Sequence, residues 1–170
     1  MQRYSKLMIA IHWATALLIL GAWITSEGGR AVRANPPLLH FSLGLAVLAL
    51  VVPRLISRLL GGAPSAEAGQ RPLLAWGAKA GHAALYVFII GLPLTGWYAA
   101  SRMGVPVSFF GIGLPALTGA VQGSPGIVAE LHESGGTIIL FLAGLHALMA
   151  LWHHFVLHDA TLRRMSPFSG

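Results

Sequence analysis

The chain has 170 residues, 55% of them hydrophobic and only 9% charged, with a net charge of +6. A soluble domain carries about 25% charged residues, so most of this surface does not meet water, which argues against two soluble domains although the length would allow them. The basic residues sit between apolar runs, which points to membrane topology and not to nucleic acid; the absence of cysteine excludes disulfides, iron–sulfur clusters, c-type haem attachment and thiol catalysis.

A membrane-crossing helix needs about 20 mainly apolar residues, and four segments qualify. The first runs from about Leu7 to Thr25. It has a basic start but no small-residue cleavage pattern, and its apolar run is long, so it reads as a retained span. The second runs from Leu38 to about Leu60, with Asn35 as the expected N-cap and Pro36 and Pro37 suited to a helix start. Gly61–Gln70 is a polar, small-residue loop. The third span runs from about Trp76 to Ala100 and contains Pro93, which is expected to bend it. The connection from Ser101 to Ala129 is rich in Gly and Pro, includes Phe109 and Phe110, and is expected to cap one end of the bundle. The fourth span runs from about Val128 to His158, long enough to overshoot the hydrocarbon or to tilt. The expected fold is all-α: a four-helix transmembrane bundle forming one domain over residues 1–170.

Eight of the eleven basic residues fall on one side of these spans: Arg3, Lys6, Arg54, Arg58, Arg71, Lys79, Arg163 and Arg164. Arg30, Arg33 and Arg102 fall on the other. The positive-inside rule therefore places both termini in the cytoplasm. Trp23, Trp97 and Trp152 lie near span ends, where interfacial aromatics belong.

The chain holds eight histidines against five acids, and every span carries at least one. Polar groups inside a membrane are costly and functional by default. His132 and His146 are 14 residues apart, close to four turns, so they share a face and lie roughly 21 Å apart along the axis. His153 shares that face and His154 points about 100° away. His40 matches His132 in depth. His12 matches His146, and so does His82; depth alone does not decide between them. Two axial histidines fill both open positions of a haem iron and suit it to electron transfer, whereas zinc needs three or four ligands at one depth. Gly44, Gly135, Gly136 and Gly144 lie near these histidines and give a macrocycle room, although glycine on a helix face also serves close helix packing. A lone membrane histidine is commonly an interhelical hydrogen bonder, and His154 and His158 are read that way. For His82 and His153 structural and functional readings weigh equally. Four histidines in two matched layers are harder to dismiss, and His12, His40, His132 and His146 are the expected ligands of two b-type haems. Arg54, Arg58, Arg163 and Arg164 read as topology determinants, some of them available to haem propionates.

The chain resembles the bacterial cytochrome b561 family over nearly its whole length. The resemblance rests on Tyr4 and Ser5 followed by Ile11, His12 and Trp13; on His40 with Gly44; and on Gly81 and His82 with Tyr86. It continues in His132 and Glu133, in Gly144, Leu145 and His146, and in the tail: Trp152, His153, His154 and Phe155, then Asp159, Thr161, Leu162 and Arg164 to Pro167. It implies a di-haem bundle in the bacterial inner membrane, with His12 and His146 on the cytoplasmic-side haem and His40 and His132 on the periplasmic-side haem. It also implies a quinone pocket at His82 and His153, near which Trp76 and Lys79 fall, and an activity: superoxide oxidised to oxygen with ubiquinone as acceptor. The chain departs from the family in having only Arg71 and Lys79 as basic residues before the third span.

Two other readings compete with a free-standing superoxide:ubiquinone oxidoreductase. One is a b-type electron-transfer subunit of a dehydrogenase or hydrogenase, which would need a redox partner protein and a surface such as Ser101–Ala129 to dock it. The other is a small transporter with a histidine proton relay, which would show no haem absorbance.

Overall fold

The computed structural model describes residues 3–26, 32–61 and 72–168. Glu27, Arg30 and Arg71, and the loop after Gly61, lie outside the described residues. Four long helices make up most of the chain: α1 (Lys6–Ile24), α2 (Leu38–Gly61), α3 (Pro72–Arg102) and α4 (Ile127–Phe155). A two-stranded hairpin, β1 (Ser108–Phe109) and β2 (Ile112–Gly113), lies between α3 and α4, and a short helix α5 (Thr161–Met165) ends the chain. Each of the four long helices is long and apolar enough to cross a membrane. Their large apolar side chains point outward: Leu17, Val87 and Phe141 are all exposed. In water such a surface would be an aggregation liability; against acyl chains it is the solvated face.

The termini follow local chemistry. α1 begins where the Ser5 hydroxyl accepts the Met8 N–H at 3.2 Å. α2 begins at Leu38, as expected, but with a different cap. The first helical bond runs from the Phe41 N–H to the Pro37 carbonyl, so Pro37, not Asn35, holds the cap position. α3 starts at Pro72, four residues before the expected Trp76, because proline is at home in a first turn. It continues through Pro93, and α2 continues through Pro53. α4 stops at Phe155, short of the expected His158, whose φ of 53° turns the chain back on itself.

α1 packs along α2, α2 along α3, and α3 along α4. Val47, Val51, Ile89 and Ile139 form the mid-bundle core, with Leu18, Tyr86 and Phe88 against it. A second cluster, Val32, Ala100, Val105 and Val107, seals the end where α1 stops and α2 starts. There the hairpin folds over the helices. Phe110 (φ 47°) and Gly111 (φ 91°) form its two-residue turn, the doubly left-handed type that matches strand twist. For a bulky residue such as Phe110 this conformation costs about 1–2 kcal/mol. The Ser42 hydroxyl offsets it by accepting the Phe110 N–H at 2.9 Å while donating to the Leu38 and Ser108 carbonyls. Arg33 donates to the Val121 and Gly123 carbonyls, and Arg102 to that of Pro125, which ties the rest of the connection down. The bundle thus has a hairpin end and a termini end.

Candidate functional site

At the hairpin end, the rings of His40 on α2 and His132 on α4 stand 5.9 Å apart, centroid to centroid, with planes at 87°. Nδ1 of His40 donates to the Ala22 carbonyl at 2.7 Å, and Nδ1 of His132 to the Leu92 carbonyl at 3.0 Å. Both rings therefore keep the Nε2 lone pair for a ligand, the tautomer that an outer hydrogen bond fixes on a metal-binding histidine. The seat of His132 is cut into α3: a Cβ on Gly96 would lie 2.6 Å from its Cε1. Both histidines line a cavity of about 830 Å³, within the size range of cofactor sites. Gly44 and Gly136 also line it and face open space, with no atom within 4 Å of an added Cβ.

Toward the termini end a second layer gathers His12 of α1, Arg54 of α2, His82 and Tyr86 of α3 and His146 of α4. The His12 and His146 centroids are 6.1 Å apart, and His82 and His146 are 5.3 Å apart. Arg54 Nη2 donates to His12 Nδ1 at 3.2 Å, and its Nε donates to the Tyr86 hydroxyl at 3.2 Å, with the guanidinium 5.7 Å from that ring's centroid. A guanidinium only donates, so His12 Nδ1 accepts and the ring proton sits on Nε2. Two imidazoles opposed across one metal ion, with metal–nitrogen bonds of about 2 Å, place their centroids about 6 Å apart. The His40–His132 and His12–His146 spacings fit that distance, and His82–His146 is tighter.

His153 lies beyond this layer, buried at the last turns of α4. Its Nδ1 is bonded to Asp159 Oδ2 and lies 3.4 Å from the Thr161 hydroxyl. Asp159 Oδ1 accepts the Thr161 N–H at 2.9 Å. Partial burial pushes the Asp159 carboxyl up, but the bonds from His153 and Thr161 outweigh it and hold the group below the usual carboxylate range. Lys79 sits 5.3 Å from the centroid of the exposed Trp76 ring, a cation–π pair at the start of α3. His154 packs on Phe155. The contacts of Asp159, Gly96 and Arg54 do not follow from residue spacing. The one local signal is Asp159 two residues before Thr161, a pattern that favours a side-chain-to-backbone turn. Among the described residues no three His, Cys, Asp or Glu side chains gather as a metal site.

A sequence model of prokaryotic cytochrome b561 matches residues 3–168. Among curated proteins, the chain is 35% identical to a probable superoxide oxidase CybB of Yersinia pestis, over 98% of this chain and 97% of that one. It is 31% identical to cytochrome b561 homolog 1 of Escherichia coli (strain K12), over 98% of each, and 29% identical to homolog 2 of that strain, over 96% of this chain and 91% of the other.

Proposed function

Because the chain belongs to the prokaryotic cytochrome b561 family, a family of haem b membrane electron-transfer proteins, we propose that it is a superoxide:ubiquinone oxidoreductase with two haems. Residues 1–170 form a single cytochrome b domain of the bacterial inner membrane, with both termini cytoplasmic. Its oxidoreductase class and its multi-pass membrane nature come with the family and the four spans.

The observation that carries the reading is the pair of opposed histidine couples, His40–His132 at 5.9 Å and His12–His146 at 6.1 Å, at two depths of one bundle. His40 and His132 would hold the outer haem through Nε2, with the Ala22 and Leu92 carbonyls fixing the rings. His12 and His146 would hold the inner haem, once Arg54 releases His12 Nδ1 so that its proton can move there from Nε2. The closer approach of His82 to His146 favours His12 as the second ligand, leaving His82 with His153 for the quinone. Haem b supplies reversible one-electron transfer between the two faces. Arg33 and Arg102 stand at the outer end and bond cap carbonyls, and a positive field there draws in a small anion. The overall reaction oxidises two superoxide anions to two dioxygen molecules, and one quinone takes up the two electrons with two protons. The Yersinia pestis relative, a probable superoxide oxidase, supports this reading.

The deciding experiment measures haem stoichiometry and ubiquinol formation on adding superoxide to the purified protein. A protein with haem that reduces quinone only through a co-purifying dehydrogenase is an electron-transfer subunit, and one without haem absorbance is neither.

A further inference from the structure

We propose that Asp159 is a positioning residue for quinone reduction: its carboxylate holds the His153 ring by Nδ1, so that Nε2 carries the proton delivered to the quinone oxygen. This rests on the quinone reading above and names how the proton is supplied.

The geometry is built, not incidental. The left-handed turn at His158 reverses the chain after α4, and the Asp159 N–H donates to the His153 carbonyl at 3.1 Å. That reversal brings the carboxylate under the ring. One oxygen bonds the imidazole and the other accepts the Thr161 N–H, so the carboxylate cannot rotate away. α5 is itself pinned to the start of α1: Arg3 donates to the Ser166 carbonyl at 2.6 Å, the Tyr4 N–H to that of Arg164 at 3.4 Å, and Trp13 Nε1 to that of Met165 at 2.9 Å. The ionisable neighbours on these elements are His154, His158, Arg163 and Arg164, with Arg3 and Tyr4 just before α1 and Lys6 at its start. Asp159 is the only acid among the described residues of this end. It stays ionised at neutral pH, and so is placed to balance a proton taken up by the ring it holds. His153 is seven residues past His146, the same face about 10 Å further along, which puts it next to the inner layer.

The step balances simply. The His153 imidazolium breaks its Nε2–H bond, and an O–H bond forms on the quinone oxygen, the electrons coming from superoxide oxidised at the other face. The neutral ring keeps its Nδ1–H on Asp159 and regains a proton from water at the termini end. A second turn supplies the second proton. An imidazole held by a carboxylate presents one nitrogen in one orientation, which is the role such a carboxylate has beside a general acid or base.

The test uses the haem-loaded protein with superoxide as donor and a short-chain ubiquinone as acceptor. In D159N, kcat for quinol formation is expected to fall about 10- to 100-fold, with the quinone KM within twofold, haem content and dithionite-reduced spectrum unchanged, and a larger solvent deuterium isotope effect. D159E, which keeps the charge, should recover part of the rate. A wild-type protein that forms no quinol overturns the quinone reading and the relay with it. An active wild type beside an equally active D159N, or a D159N changed only in KM, overturns the relay alone. Should D159N fail to retain haem, D159E at full haem content decides: a reduced kcat at unchanged KM supports the relay, and a wild-type kcat overturns it.

Discussion

His40 and His132 come from helices that start at the same end of the bundle, and each ring is turned toward the other by a carbonyl on a third element, Ala22 on α1 and Leu92 on α3. Four helices thus fix two rings. Removing one ring leaves the other with a single axial bond to offer. In His132→Ala the haem content should fall from about two to about one per chain, the spectrum of the remaining haem staying six-coordinate. Retention of both haems with unaltered ligation would mean the pairing is wrong.

Gly96 tests the seat of His132 without replacing the histidine itself. In Gly96→Ala the new Cβ meets the imidazole at 2.6 Å from Cε1 and 3.0 Å from Nδ1, so the ring must leave the Leu92 carbonyl. Overpacking of this kind costs about 1–3 kcal/mol. The expected result is loss or weakened binding of the hairpin-end haem alone, read by haemochrome assay and thermal unfolding. An unaltered haem content and an unaltered melting temperature would show that α3 yields there.

The four spans were legible because apolar length is a property of composition, and the depth match of His40 with His132 follows from counting residues along helices. The structure brings those rings together, as it does His12 and His146. What counting does not give is lateral position. His12 and His82 share a depth, and only three-dimensional packing separates their distances to His146. Nor does spacing reveal that Asp159 folds back under His153, since that depends on a left-handed residue at His158, a conformation that only a few per cent of non-glycine residues adopt even though histidine is enriched there. The Asn35 cap failed for a related reason: Pro37 already fixes the backbone at the start of α2, and its carbonyl takes the first helical bond.

Arg54 places a permanent positive charge in the layer of His12 and His146. Positive charge favours the reduced form of a nearby redox centre. A unit charge within roughly 10 Å at an effective dielectric near 20 interacts by about 2 kcal/mol, so Arg54→Gln should lower the midpoint potential of the proposed termini-side haem by about 50–100 mV, at 59 mV per factor of ten for one electron. The hairpin-side haem should hardly move. A spectroelectrochemical titration showing both potentials unchanged would place Arg54 away from the redox centre.

The Asp159 carboxyl is held below its ordinary value of 3.8. A carboxyl with a depressed folded-state pKa contributes stability above its unfolded value and loses it as pH falls through the folded one. Docking of residues 156–168 should therefore be constant from neutrality down to about pH 4 and weaken only below it. Hydrogen exchange of that segment between pH 7 and pH 3 measures this. Loss of protection already between pH 7 and pH 5 would assign the docking to another group.

Superoxide is a small anion that does not readily cross a bilayer, so its oxidation must take place at one face. With His40 and His132 filling both axial positions of the proposed outer haem, superoxide would need only to approach the haem's edge, and association would then depend on local charge. Arg33 and Arg102 flank the cap, while Glu130 and Glu133 line the same cavity wall or its approach, so the net field is modest. Raising ionic strength from about 0.01 M to 0.5 M shrinks the screening length from about 30 Å to a few ångströms. The rate of haem reduction on rapid mixing with superoxide should accordingly fall about threefold to tenfold, at the low end of steering effects. Charge removal in Arg102→Gln should flatten that dependence more than it lowers the high-salt rate. A rate that ignores salt in both proteins would remove the arginines from the donor's path. Haems left oxidised by superoxide, yet reduced at once by a membrane dehydrogenase, would replace the donor altogether.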